Sequence, residues 1–244
     1  MRGLLAIYQR EILILRKRLF RQLASMSVSP LLYLIAFGLG MGRNLRVGEH
    51  SYLEFLIPGI VAMNSMMQAF AIASEINIAR FYWHIFEEFQ AAPISSISYV
   101  TGEVLAGITR ALISVLLILL IAAVCGVILS YNIYFWCAVL LNSFVFASLA
   151  VGLAMLVKSH SDQALLTNFF ITPMAFLGGT FFPIDRMPAW VQYILHFLPL
   201  THASKEIRAA AFGNPPDFSS LLLLFLMGSI LFVLAFHWVN RARE

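Results

Sequence analysis

Charged side chains are missing from five stretches of the chain: 22–42, 55–74, 111–157, 163–184 and 218–240. Each is at least 20 residues long, and at 1.5 Å of helical rise about 20 residues cross a hydrocarbon core of about 30 Å. The third stretch runs for 47 residues and contains the polar break Ser130-Tyr131-Asn132, so it is read as two crossings. The pattern predicts an all-α membrane protein with six transmembrane helices. They fall at about 24–42, 55–79, 101–129, 133–157, 163–181 and 218–240, in a single transmembrane domain over 1–244.

The segments between the spans carry their own periodicity. Over 3–22, Leu4, Tyr8, Ile12, Leu15, Leu19 and Leu23 recur at spacings of four or three, with Arg2, Arg10, Lys17 and Arg21 elsewhere on the wheel. That is the signature of an amphipathic helix lying on a membrane surface. Between the second and third spans, Phe81 to Ala91 reads as a short helix with Glu87 and Glu88 exposed. Ala92-Pro93 stops it, because a proline disfavours helix in the residue before it. Over 182–217, Pro188 suits the first turn of a helix, 188–198, with Val191, Ile194, Leu195 and Leu198 on one side. Thr201 is placed to cap a second helix that ends at Gly213. Each is too short to cross, and together they predict a re-entrant helical hairpin in the outer leaflet.

Composition agrees with lipid as the main solvent: 61% of residues are hydrophobic and 11% charged, against about 25% charged in soluble domains. Mean hydropathy is +0.85. The net charge of +4 reports orientation, not nucleic acid. Six of the 16 basic residues lie in the first 21 positions, which places the N-terminus in the cytoplasm. Six crossings return the C-terminus to that side, where Arg241 and Arg243 agree. Charges recur until Arg21, so no cleavable signal peptide is expected. Cys125 and Cys137 flank the turn between spans three and four and read as packing residues, not as a bridge.

Catalytic motifs are lacking. The sequence has no GxxxxGK[ST] phosphate loop, no HExxH or GxSxG, and no His, Cys, Asp and Glu set at metal-ligand spacing. No internal repeat suggests duplicated transporter halves. The charged residues within the predicted spans are Glu75, Glu103 and Arg110, which are candidates for function by position. All lie toward the cytoplasmic edge, and a structural ion pair of Arg110 with Glu75 or Glu103 is the favoured reading over a proton relay.

Three local segments carry a family resemblance. Tyr52-Leu53-Glu54-Phe55-Leu56-Ile57-Pro58-Gly59-Ile60 opens span two. Glu87-Glu88-Phe89-Gln90-Ala91-Ala92-Pro93-Ile94-Ser95 follows it. Gly178-Gly179-Thr180-Phe181-Phe182-Pro183, Pro188-Ala189-Trp190 and Leu198-Pro199-Leu200-Thr201-His202-Ala203, with Arg208 and Gly213, precede span six. In this order, after a basic amphipathic helix, they resemble the membrane subunit of type-2 ATP-binding-cassette exporters, the family of bacterial drug, polysaccharide and nodulation-factor exporters. The compact outer hairpin departs from the large extracellular loop of the eukaryotic G-type relatives.

The resemblance implies a permease in the cytoplasmic (inner) membrane. Two permease chains pair, read first as a homodimer, over two cytoplasmic ATPase subunits that hold ATP and Mg. This chain itself then needs no cofactor, metal or catalytic residue. Phe86, Glu87, Glu88, Ala92, Pro93 and Ile94 would couple to the ATPase. Asn64, Met67, Gln68, Asn168, Phe169, Thr172, Met174 and Phe176 would line the path of an amphipathic or lipid-linked substrate. Phe181, Phe182 and Pro183 would form an outer gate. A non-transporting membrane scaffold, and an ATP-independent channel or secondary carrier, are the alternatives.

Overall fold

The computed structural model describes residues 2–41, 45–83 and 85–242, with only the backbone described for Arg2, Leu39, Met41, Glu87, Gln90 and Ala91. The chain begins with α1 (Arg2–Lys17), bends at Arg18 into α2 (Leu19–Tyr33), and widens into a π-helical segment, Leu34–Met41. A two-stranded ribbon follows, β1 (Arg46–Val47) and β2 (His50–Ser51), turning at Gly48 with φ 65°. Next come α3 (Tyr52–Phe70) and α4 (Ile72–Phe81), which meet at Ala71, then α5 (Ile85–Ala91), α6 (Ser96–Val124) and α7 (Ile133–Leu156). One helical path is assembled from α8 (His160–Leu166), a π segment (Thr167–Ile171) and α9 (Thr172–Leu177). A 3-10 turn, Ile184–Arg186, leads to α10 (Ala189–His196), α11 (Pro199–Ala211) and α12 (Phe218–Arg241).

Among the described residues five helical paths are long and apolar enough to cross a membrane: Leu19–Gly38, Tyr52–Phe81, α6, α7 and α12. The stretch predicted as span five is the segmented α8–α9 path, whose pieces are 7, 5 and 6 residues long.

Local chemistry sets the helix starts. Ser51 and Glu54 form a reciprocal capping box on α3: the Glu54 amide donates to Ser51 Oγ, and the Ser51 amide donates to Glu54 Oε2 at 2.7 Å. Ser95 caps α6, which therefore starts at Ser96 and not near 101. Asn132 caps α7 and also donates to the Ala210 carbonyl, tying α7 to α11. Thr201 does not cap α11. Pro199 occupies the first turn, where its missing amide hydrogen has no use, and the helix begins two residues earlier. Gly213, at φ 74°, lies just past its end.

The bundle centres on α3 and α7. The latter touches α3, α4, α6, α11 and α12. Close approach depends on small residues: a Cβ added to Gly107 of α6 would sit 3.0 Å from Ala147 Cβ and 3.1 Å from the Ala69 carbonyl. The outer faces stay apolar, with Leu116, Leu120 and Val124 on α6 and Leu222, Phe225, Leu226, Ile230 and Val233 on α12 exposed. Apolar surface of that extent on regular helices suits a lipid environment.

The amphipathic helix is shorter than 3–22 and differently turned. Its buried positions are Ile7, Glu11 and Leu15, while Leu4, Tyr8 and Ile12 are half-buried and Leu19 exposed. The reason is its support: α1 lies on α6, where Ile7 fills the space left by Gly102.

Candidate functional site

A cleft of about 110 Å³ lies between α2, α3 and α9. Five of the eight residues expected to line a path meet there: Asn64, Met67 and Gln68 from α3, and Thr172 and Phe176 from α9. The others do not line it. Asn168 and Phe169 sit on the exposed side of the π segment, Phe169 being 72% exposed, and Met174 is half-buried elsewhere. The sequence reading missed the first span's share, Ser25, Ser29 and Tyr33. Ser25 and Ser29 stand four apart, so their hydroxyls share a helix face, and that spacing was the available signal.

Aromatic rings close one end of the cleft. Phe181 is fully buried, with ring centroids 5.1 Å from Tyr33, 5.0 Å from Phe37 and 5.3 Å from Phe176. Tyr33 and Phe176 thus belong to both cleft and lid. The Tyr52 hydroxyl donates to the Phe181 carbonyl at 3.1 Å and holds the turn. Phe182, by contrast, is half-exposed.

At the opposite end, α5 is fastened to the bundle by aromatic contact. Phe86 is buried edge-on against Tyr99 of α6 at 5.8 Å, and Phe89 contacts the same ring at 5.6 Å. Arg80 lies over Phe86 and donates to the Ala154 and Met155 carbonyls of α7. Glu88 and Pro93 are exposed, Ala92 is half-buried, and Ile94 packs near Gly3 of α1. The Glu87 side chain lies outside the described residues.

Glu11, Glu75 and Arg110 form one charge cluster. Arg110 Nη1 is 3.2 Å from Glu75 Oε1, and its Nη2 is 3.5 Å from Glu11 Oε2. Glu11 also meets Arg10 at 2.7 Å. The Glu75 partner was expected; Glu11 was not, and it links α1 to α4 and α6. Burial raises the Glu11 carboxyl above its ordinary value, against the pull of Arg10 and Arg110. Glu103, the other expected partner, is buried with Oε2 unpartnered among the described residues. Among the described residues no three His, Cys, Asp or Glu side chains gather as metal ligands.

The profile of the ABC-2 type transporter family matches residues 2–212. The chain belongs to that family. This ABC-2 chain is similar to nodulation protein J of Neorhizobium galegae, 30% identical over 87% of this chain and 82% of that protein. It is also similar to the inner membrane transport permease YadH of Escherichia coli K12, 27% identical over 76% of this chain and 73% of the relative. It is a multi-pass transport permease by family and by its apolar helices.

In the ABC-2 chain, α10 and α11 are joined by histidine chemistry. His202 Nε2 lies 2.8 Å from the His196 carbonyl and Nδ1 3.5 Å from Ser220 Oγ, with Lys205 and Asp217 nearby. Hydrogen bonds from Ser219, Lys205 and Ser220 hold the Asp217 carboxyl far below the carboxylate range. Burial is the main influence on His202 and lowers its pKa. An unfolded imidazole then takes its proton first, so acidification through about pH 6.5 removes stability until the folded pKa is passed. We expect the protection of α11 amides, measured against their intrinsic exchange rates, to fall between pH 7.5 and 5.5, and His202→Gln to flatten that dependence. An equal acid response in the variant would exclude His202 as its source.

Proposed function

We propose that this ABC-2 chain is the path-forming subunit for ATP-driven export of an amphipathic or lipid-linked molecule. It crosses the inner membrane six times, the α8–α9 path being the fifth crossing, with both termini in the cytoplasm. α10 and α11 re-enter from the outer side, Phe181, Phe182 and Pro183 belong to the outer gate, and α5 is the coupling helix. The observation that carries this reading is the meeting of Asn64, Met67, Gln68, Thr172 and Phe176 in one cleft closed by aromatic rings. Amide, thioether and aromatic groups in one wall suit a cargo with polar and apolar parts.

The helices around the cleft are those with irregular hydrogen bonding: the π segments beyond α2 and before α9, and the Ala71 break between α3 and α4. Such irregularities allow a helix to bend where force is applied. Force would arrive from an ATP-binding partner chain through α5 and pass to α6, on whose Tyr99 ring Phe86 and Phe89 of α5 pack. A second copy of the chain would complete the path.

The test is a charge reversal on the proposed docking face. Glu88→Arg, alone and with Glu87→Arg, is expected to cut transport by the reconstituted complex at least about tenfold while the ATPase chain keeps its own hydrolysis. Like charges placed against the partner's basic residues cost several kcal/mol, and about 1.4 kcal/mol is already tenfold. Normal transport by the doubly reversed complex would remove α5 from the docking site.

A further inference from the structure

Away from the cleft, a half-open cavity of about 450 Å³ lies at the α11 end of the bundle. It is bounded by α10, α11, the Pro183–Asp185 turn and Phe55 at the start of α3. α11 presents Lys205 and Arg208 to it, three residues apart and so on one face.

Arg208 is a cation without an anion. Its guanidinium stands 3.8 Å over the Phe55 ring. Nε donates to the Phe55 carbonyl at 3.3 Å, and Nη2 to the Gly179 carbonyl at 2.8 Å. Both acceptors are neutral, and among the described residues neither a carboxylate pairs with Arg208 nor an acceptor meets Nη1. A guanidinium has five donors in a rigid fork, so donors remain for the cavity. Thr201 lines the same cavity and is 8% exposed, and among the described residues its buried hydroxyl has no hydrogen-bond partner, so a small side-chain rotation would be needed for it to meet a ligand there. Buried hydroxyls are normally bonded. Lys205 pairs with Asp217 at 3.2 Å, and the Asp185 carboxylate stands on the same wall. Among the described residues neither Asp185 nor any other carboxylate forms an ion pair with Arg208, so its fork has no anionic partner in direct contact.

We propose that this cavity binds an anionic phosphate-type headgroup, held by the Arg208 guanidinium and the Thr201 hydroxyl with Lys205 at the rim. Arginine and a hydroxyl suit phosphate oxygens, because charge-assisted bonds from a planar fork are strong and directional. The volume suits a headgroup with further hydroxyls better than a bare ion, and the Gln192 and Asn214 amides are there to receive them. A second cavity of about 400 Å³ shares Pro183 and is walled by Phe37, Tyr52, Phe181 and Phe182. An acyl tail has room beside the headgroup. Binding here requires neither transport nor the ATPase, so it stands or falls apart from the proposed function.

The purified full chain in uncharged detergent is titrated with inorganic phosphate, phosphatidylglycerol with six-carbon chains, and the matching diacylglycerol, while thermal unfolding is followed. A saturable rise in midpoint with phosphatidylglycerol, and little with diacylglycerol, is expected. A rise with the lipid alone identifies a lipid headgroup; an equal affinity for inorganic phosphate identifies the free anion as sufficient. Arg208→Gln should weaken binding at least about tenfold. Because Arg208 also ties α11 to Phe55 and Gly179, Ala209→Phe is the second variant. Ala209 lines the cavity, so the larger ring fills it and leaves those hydrogen bonds intact. The same loss of affinity at an unchanged unliganded midpoint is expected. No saturable rise with either phosphate compound, an equal rise with diacylglycerol, or full affinity in Ala209→Phe overturns the assignment.

Discussion

Replacing Arg110 with methionine is expected to lower the unfolding free energy by about 3–5 kcal/mol, because it strands buried carboxylates. Arg110 and Glu11 are 4% and 3% exposed, and Glu75 is 22% exposed. A methionine keeps much of the packing volume, so the loss isolates charge from shape. Adding Glu11→Gln and Glu75→Gln to the Arg110→Met background should recover much of the stability, since both carboxylates that faced Arg110 are then neutral and Arg10, 24% exposed, can turn to solvent. Denaturant unfolding of the purified chain in mixed micelles measures both. The bend at Arg18 offers a local readout: with Glu11 released, α1 should lift from α6 and trypsin should cut faster at Arg16, Lys17 and Arg18. Unchanged stability and unchanged cleavage in Arg110→Met would show that the cluster does not hold α1.

Glu11 also shows where the sequence stopped being readable. The long helices were visible because lipid imposes one rule on every residue of a span, and α7 and α12 end where the charge-free runs end. Glu11 sits among basic residues on a surface helix, so nothing local distinguishes it from a solvated carboxylate. Only the fold brings it to Arg110, 99 positions away. The path residues on α3 were legible because Asn64 and Gln68 are amides in an apolar run. The serines of α2 were less so, since a hydroxyl can satisfy itself on its own helix, as Ser27 does on the Ala24 carbonyl. The π segments left no trace in the charge pattern: Leu34–Met41 and Thr167–Ile171 lie inside charge-free runs that read as ordinary helix. The ribbon at 46–51 did leave one, a glycine in a two-residue turn, but its strands are too short to stand out.

Gly59→Ala is expected to be the most damaging small substitution in the chain. A Cβ there would lie 2.2 Å from the Thr180 carbonyl oxygen, 2.9 Å from its carbon and 3.0 Å from Arg208 Nη2. The obstacle is backbone, and that backbone cannot retreat. Thr180 Oγ1 donates to the Ala175 carbonyl at 2.8 Å, Arg208 holds the Gly179 carbonyl, and Tyr52 holds the Phe181 carbonyl. Gly179 itself is at φ 79°, so the turn has few alternative shapes. Overpacking of this kind costs about 1–3 kcal/mol and occasionally more. The displaced turn carries Phe181, whose contacts with Tyr33, Phe37 and Phe176 close the cleft, so transport should fall with stability. Gly40→Ala is the matched control, because its added Cβ meets nothing nearer than the Ile35 carbonyl at 3.5 Å. Unfolding midpoints of the two variants should separate clearly, with Gly40→Ala close to the parent. Equal midpoints would mean that α3 and the Thr180 turn do not approach so closely, and that the aromatic lid is not set by this contact.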